Sequence, residues 1–369
     1  MKVLHIINSL GTGGAEKLLL ETIPLYRKKG VEIDVLVFWN NNHQFVNALK
    51  ELNCCKLIVF KESDNYKAIY SLFHIWKLRK YLKEYDIAHV HLFPAQYFTV
   101  LANILIGNRC KLIFTEHSTS NRRIRNRFFG FVDKWFYKRY NKTICITGKV
   151  FEVLLNHTGI SSNRFCIIKN GVDTSRIYHA QSLSINEIDI KRKIDYKYII
   201  QVSSFQEPKD QWTLIQSLTF LPDYIKLILV GEGILQNRIK KDTINEGLQD
   251  RVIFLGQRMD IPQLLKSADV VVLSSKYEGL SLSSIEGMAS GRPFVASDVP
   301  GLSEVVGGAG VLFEAGNSQE LAKRIQALLD DKILYKRTVE ACQLRAAQYD
   351  IQNMIQKHIE LYQEVYEAI

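Results

Sequence analysis

No two cysteines in this chain are spaced C-x-x-C. The six stand at 54, 55, 110, 145, 166 and 342, two of them adjacent, so neither a zinc framework nor a disulfide scaffold is expected, and a reducing cytoplasm suits them. Long apolar runs are missing too. The amino-terminal run Val3–Ile7 has five residues, too few for the core of an export signal or for a membrane span, so no export is expected. No Asp-x-Asp pair is present to hold a divalent ion, and no DNA- or RNA-binding motif occurs. A dinucleotide fingerprint fails as well: GTGG begins as G-x-G, but the third glycine would fall at position 16, which is Glu16.

What the chain does have is length, alternation and uneven charge. Its 369 residues exceed what one core comfortably fills, and 47% hydrophobic with 23% charged residues is the composition of a globular protein, so two domains are expected. Short apolar runs separated by helical stretches recur at Val3–Ile7, Ile33–Phe38, Leu57–Phe60, Ile87–Leu92, Leu112–Thr115, Thr143–Ile146 and Phe165–Ile168. They restart at Tyr198–Ser203, Lys226–Val230, Val252–Leu255, Asp269–Ser274 and Pro293–Ser297. This alternation predicts two parallel, doubly wound sheets of α/β class. The polar stretch from about Asp173 to Asp195 reads as a linker. The domains are therefore placed at 1–175 and 176–345, with a carboxy-terminal helix over 346–369 packing back on the first. Residues 1–175 carry 26 basic and 13 acidic side chains, and residues 176–369 carry 22 and 25. The whole basic excess lies in the first half, which points to an anionic partner there.

The run SSKYEGLSLSSIEGMASGRPFVASDVPG is the most informative. It reads as the end of a buried strand, a loop, and the opening of a helix, with Glu278 and Glu286 separated by seven residues. The carboxyl end of a parallel strand is where open α/β sheets bind ligands. Amides around Leu280 to Ser283 suit a diphosphate, and the two carboxylates suit sugar hydroxyls, which together describe a sugar nucleotide. A competing explanation exists for Glu286, because Ser283-x-x-Glu286 also matches a capping box.

Other motifs are weaker singly. Gly13 and Gly14 follow the first strand and let backbone approach a phosphate or sugar, or serve a plain turn. His117, in TEHS, ends a strand on the side where the two domains are expected to meet, and a structural role competes with a ligand-binding one. His89 and His91 share one face of a strand; packing is favoured, since the sequence offers no third ligand. Lys209, in QEPKD, follows a strand and precedes a helix, within reach of a diphosphate. KNGVD and LVGEG supply turn signals. The segment from Arg122 to Tyr140 sets Arg122, Arg123, Arg125 and Arg127 and three further cations against the single acid Asp133, with six interleaved aromatics between Phe128 and Tyr137. Such a composition suits an interfacial helix on an anionic leaflet, or else a core helix with a solvated basic face.

Taken together, GGAEK, TEHS, KNGVD, QVSSFQEPKD, LVGEG, FLGQRMDIPQLLKSADVVVLSS and EGLSLSSIEGMASGRPFVASDVPGLSEVV make the chain resemble the retaining glycosyltransferases of family 4, with the GT-B fold of two Rossmann-like domains. The resemblance implies that Glu278 contacts the donor sugar and Glu286 the ribose. It implies that Lys209 and the amides of Gly279, Leu280 and Ser281, with Leu282 beyond them, hold the diphosphate. Gly13 and Gly14 would border the cleft, His117 would approach the donor sugar, and Arg258 in FLGQRMD would belong to the donor site. Many relatives have arginine where this chain has Ser204, and proline where it has Ser281.

The implied reaction is transfer of a sugar from a nucleotide diphosphate to an acceptor hydroxyl with retention. No cofactor or metal is expected, and a UDP-sugar is favoured over a GDP-sugar. The basic first half points to a lipid-linked acceptor in bacterial surface polysaccharide assembly, with the protein cytoplasmic and peripheral on the inner face of the membrane. A nucleotide-sugar epimerase, a phosphorylase or a non-catalytic binder on the same scaffold are the rival readings.

Overall fold

The computed structural model describes residues 1–11, 13–117, 127–189 and 195–368. These divide into two compact units, Met1–Gly171 with Ile351–Ile369, and Val172–Asp350. In the first, β1 (Lys2–Ile7), α1 (Gly14–Lys28), β2 (Glu32–Val37), α2 (Gln44–Leu52), β3 (Leu57–Val59), α3 (Phe73–Leu82), β4 (Ile87–His91) and α4 (Ala95–Ile104) come first. They are followed by β5 (Lys111–Glu116), α5 (Arg127–Tyr137), β6 (Lys142–Cys145), α6 (Gly148–Thr158) and β7 (Phe165–Ile167). The second unit holds α7 (Thr174–His179), β8 (Lys197–Val202), α8 (Gln211–Ser217), β9 (Ile225–Val230), α9 (Gln236–Asn245), β10 (Val252–Gly256) and α10 (Ile261–Ser267). It continues through β11 (Val270–Leu273), α11 (Leu282–Ala289), β12 (Phe294–Ser297), α12 (Leu302–Val306), β13 (Val311–Phe313), α13 (Ser318–Asp330) and α14 (Lys332–Ala347). The last helix, α15 (Ile351–Glu367), belongs to the first unit.

Both sheets are parallel. Their orders are β3-β2-β1-β4-β5-β6-β7 and β10-β9-β8-β11-β12-β13. In each, the strand order reverses beside the unit's first strand, between β1 and β4 and between β8 and β11. These are the places where a crevice opens at the carboxyl ends of the strands. Strands such as β9 (IKLILV) and β11 (VVVL) are buried along their whole length, as a sheet covered by helices on both faces requires.

The stretch read as a linker is part of the second unit. Asp173 caps α7 by accepting from the Arg176 amide at 2.8 Å, and Val172, Ile177 and Ile188 join the core. Asp189, itself buried, accepts from Lys226 Nζ at 2.7 Å and from the Tyr198 hydroxyl at 3.1 Å. A few apolar anchors and one buried ion pair fix a segment whose average composition is polar. The chain passes between units after Gly171 and again after Asp350, where the Val172 amide bonds the Tyr349 carbonyl at 2.9 Å. The first crossing therefore falls at 171 rather than 175, and the returning helix starts at 351 rather than 346. β13, a three-residue strand among glycines, was not expected from the sequence.

One face of α5 packs as core. Phe136, Tyr137 and the following Tyr140 are buried, the Tyr137 hydroxyl donates to Glu116 at 2.9 Å, and buried Asp133 meets His157 at 2.8 Å. Phe131 and Trp135 stay exposed. Arg122, Arg123 and Arg125 lie outside the described residues, and Arg127 opens the helix.

Candidate active site

In the second unit, the loops that leave β8 and β11 lie side by side at the switch point and are tied to each other. The Asp210 amide donates to the Ser274 carbonyl at 3.0 Å, and the Lys276 amide to the Pro208 carbonyl at 2.8 Å. Buried Gln201 accepts from the Ser274 amide at 2.9 Å and donates to Ser203 Oγ at 2.9 Å. Gln211 donates to the Ser204 carbonyl at 2.9 Å, and Asp210 caps α8. Backbone and buried amide side chains thus fix both loops before any ligand arrives.

That scaffold brings Lys209 Nζ against Glu278 Oε1. The same carboxylate oxygen accepts from Ser275 Oγ at 2.8 Å. The two side chains are only 18% and 10% exposed. An ammonium carries three donors, so Lys209 can hold Glu278 and still present N–H groups to an anion. Glu278 is held in turn by Gly301. With φ of +87°, a Cβ there would sit 2.5 Å from the Glu278 carbonyl oxygen and 2.4 Å from that of Gly279. Only glycine fits.

α11 begins at Leu282, with Ser281 flanking it in extended conformation (φ −80°, ψ 111°) and forming no side-chain cap. Ser281 contributes its carbonyl instead, accepting from Ser284 Oγ at 2.7 Å. The first amides of a helix have no partner within it, so an uncapped start offers them, with the positive end of the dipole, to an anion. This start also revises the reading of Glu286. A capping box would require Ser283 as the flanking residue, but the helix begins earlier, and Glu286 sits buried in its second turn.

The glycines of LVGEG serve close packing. Gly231 (φ +129°) would place a Cβ 2.2 Å from the Ser203 carbonyl oxygen, and Gly233 one 2.3 Å from that of Phe205. They press the β9 loop onto the β8 loop that carries Ser204. Arg258, after β10, is held by Asp260 through Nε at 2.8 Å and Nη2 at 2.5 Å. This pairing raises the guanidinium pKa and lowers that of the carboxylate. Its charge is matched by Asp260, as that of Lys209 is by Glu278.

The first unit presents its own group at the carboxyl edge. Gly13 flanks α1 and Gly14 begins it. The Glu16 carboxyl folds back so closely that a Cβ on Gly13 would lie 2.3 Å from Oε2, and burial raises its pKa. His117, just past β5, bonds through Nε2 to His91 Nδ1 at 3.1 Å. The chain continues from His91 Nε2 to His5 Nδ1 at 3.0 Å and from His5 Nε2 to the Tyr362 hydroxyl at 3.2 Å. Tyr362 meets His89 Nδ1 at 2.6 Å, and His89 Nε2 meets Thr115 Oγ1 at 2.6 Å. Tyr26 contacts His358 beside it.

Burial holds these imidazoles neutral. It lowers His117 to about 4 and His5 and His358 to about 3, and with their neighbours it holds His89 and His91 well below the usual range. A neutral ring has one N–H and one lone pair, so the direction of every bond in the chain fixes the next. If His117 donates inward, its Nδ1 is an acceptor; if it accepts, Nδ1 is a donor.

His5 corrects the expectation that His89 and His91 lack a third companion. One ring nitrogen from each of these three, of the six they hold, lies within 4.8 Å of the other two. All six are already hydrogen-bonded, so the group reads as a buried network. Nothing in the sequence joins His5, His91, His117 and Tyr362 except the fold itself.

Two parallel, doubly wound sheets with this switch-point site define a GT-B glycosyltransferase. Residues 12–176 match the family model described as Glycosyltransferase Family 4, and residues 184–345 the model described as Glycosyl transferases group 1. The chain belongs to this family and is a glycosyltransferase. It is 27% identical to the UDP-Gal:alpha-D-GlcNAc-diphosphoundecaprenol alpha-1,3-galactosyltransferase of Escherichia coli, over 73% of this chain and 72% of that one. It is 24% identical to the N-acetylgalactosamine-N,N'-diacetylbacillosaminyl-diphospho-undecaprenol 4-alpha-N-acetylgalactosaminyltransferase of Campylobacter jejuni, over 93% and 94%. Among solved structures, Anabaena HepE in complex with UDP and glucose aligns with TM-score 0.82 and 25% identity, covering 98% of this chain and 99% of that one. Among the described residues no helix is long and apolar enough to cross a membrane.

Proposed function

We propose that the protein transfers a sugar, with retention, from a UDP-sugar to a saccharide on a lipid diphosphate, in the building of a bacterial surface polysaccharide. The observation that carries this reading is the Lys209–Glu278 contact beside the uncapped start of α11. Cleavage of the glycosyl–phosphate bond adds negative charge to the departing diphosphate. Lys209 and the amides of Gly279 to Leu282 are fixed donors that stabilise this charge more than the ground state. Glu278 accepts from hydroxyls of the donor sugar, and Glu286 from the ribose. His117 would offer Nδ1 to the sugar, while Gly13 and Gly14 allow the backbone close approach. Helix amides and one ammonium take the place of a divalent ion, in keeping with the missing Asp-x-Asp pair. A donor retained on one face is attacked there by the acceptor hydroxyl, with the leaving phosphate taking its proton.

The Escherichia coli relative's name gives a UDP-galactose donor and a diphosphoundecaprenol acceptor, and HepE was solved with UDP; both support the choice of uridine and of a lipid carrier. Such an acceptor calls for a protein at the inner face of the membrane, where the basic excess of residues 1–175 suits an anionic leaflet. The test is release of UDP from a panel of UDP- and GDP-sugars, with and without EDTA, in the parent and in Lys209→Ala. The reading requires EDTA-resistant turnover that falls on the order of a hundredfold in the variant. Abolition by EDTA, or a variant as active as the parent, would overturn it.

A further inference from the structure

The residues from Tyr66 to Lys83 include five Lys or Arg, no Asp or Glu, and five aromatic side chains. They form a 3-10 turn, Tyr66–Tyr70, and then α3. His74, Leu78 and Leu82 recur every fourth residue along α3 and are buried against the first unit. The opposite stripe is Phe73, Trp76, Lys80 and Lys83. Phe73 and Trp76 are 62% and 61% exposed, and Leu72 at the helix start 69%. Tyr66 and Tyr70, in the turn that leads into α3, are exposed as well. Isolated exposed apolar residues are ordinary; a contiguous group of them marks a contact surface.

The cations of this surface lack carboxylate partners. Among the described residues, Lys67, Lys77, Arg79, Lys80 and Lys83 make no ion pair, whereas Lys2 and Lys149 elsewhere on the unit find Glu32 and Glu152. Two of them lie over the aromatics instead: Lys77 Nζ is 5.5 Å from the Phe73 ring centre, and the Arg79 guanidinium is 4.6 Å from that of Trp76. Arg79 Nε is buried without a hydrogen-bond acceptor. Bulky rings interleaved with unmatched cations are the chemistry of the water–lipid boundary, where rings enter the acyl edge and cations meet phosphates.

We infer that the turn Tyr66–Tyr70 and the exposed stripe of α3 dock the protein on an anionic lipid bilayer. Charge selects this occupant. Glu84, which lines the same surface as Trp76, Arg79, Lys80 and Lys83, offsets one of the five cations, so a second copy bound face to face would still set net positive charge against net positive charge, because a twofold contact matches a surface with itself. An anionic leaflet attracts all of them at once. The inference deepens the lipid-linked-acceptor reading and rests on it only for its purpose, since docking and transfer are measured separately.

The test is flotation with vesicles of phosphatidylcholine and phosphatidylglycerol, against vesicles of phosphatidylcholine alone. The parent floats with the anionic vesicles only, and salt releases it. Lys80→Gln with Lys83→Gln lowers the partition coefficient about thirty-fold, at about fivefold for each charge. Phe73→Ser with Trp76→Ser abolishes flotation, while the UDP-induced thermal shift stays as in the parent, showing that the variant is folded. Brominated lipid quenches tryptophan emission in the parent, and less so in Trp76→Phe. A parent that does not float, or variants that float as well as the parent, would overturn the assignment. So would a parent dimer by light scattering that these substitutions dissociate. Loss of transfer with flotation intact would count against the enzymatic reading alone.

Discussion

Gly301 lies so close to Glu278 that a Cβ on it would begin 2.5 Å from the Glu278 carbonyl oxygen. The backbone that carries the carboxylate therefore rests on a residue far along the chain with no functional group of its own. Alanine at 301 must also adopt a φ of +87°, which L side chains avoid. Gly301→Ala is expected to shift the 278–279 loop and lower kcat/KM on the order of a hundredfold, as misplacement near 1 Å does. Donor titration by calorimetry together with steady-state kinetics checks it; unchanged values would show that the loop adapts.

Glu286 separates binding from helix initiation. Because α11 starts at Leu282, Glu286 does not serve as its cap, and Glu286→Gln keeps a side chain of the same shape. Thermal stability should be nearly unchanged while UDP affinity falls by about 2 kcal/mol, the scale of a hydrogen bond to a charged group. Equal affinity in mutant and parent would remove the ribose assignment.

The histidines of the network make stability depend on pH. His5, His117 and His358 titrate at about 3 to 4 in the folded protein, and His89 and His91 are lowered as well. In the unfolded chain each binds its proton near pH 6.5. Between these values the unfolded state holds more protons, so stability is complete above about pH 6.5 and falls with acid, by about 1.4 kcal/mol per pH unit for each ring. Denaturant unfolding from neutral to mildly acidic pH checks this, and His91→Gln should make the slope shallower by one ring's share. A flat profile would mean that the rings protonate without unfolding.

Asp189 and Lys226 form a buried pair, each side chain 7% exposed. Asp189→Ala strands the ammonium and also deprives the Tyr198 hydroxyl of its acceptor. A loss of about 3–5 kcal/mol is expected. Replacing both partners together, as Asp189→Leu with Lys226→Met, should recover most of it. Chemical denaturation of the three variants decides.

Sequence periodicity revealed the strands because parallel strands buried on both faces are nearly continuous apolar runs, as in β9 and β11. The block around Glu278 was legible for a related reason: strand, loop and helix start follow one another without interruption. β13 was missed because Val311–Phe313 is short and lies between glycines. The segment from Asp173 was misread because Ile177, Ile188 and Asp189 are few among polar neighbours. Aromatic and basic composition alone did not distinguish α5, whose Phe136 and Tyr137 turn inward, from the turn and stripe of α3, whose Phe73 and Trp76 turn outward. The histidine network was hidden because its members come from β1, β4, β5 and α15, and only the strand order makes them neighbours.

α15 closes the first unit although it is the final helix of the chain. Tyr362 and His358 fill the histidine network, and Lys142 pairs with Glu364 at 2.9 Å. As the polypeptide leaves the ribosome, everything up to Gly171 emerges early but lacks the helix that covers His5 and His89. The second unit, continuous in sequence, can mature while the first waits for its missing piece. Translation order and the order of completion are thereby reversed, and the amino-terminal half would need protection from premature association until α15 has emerged.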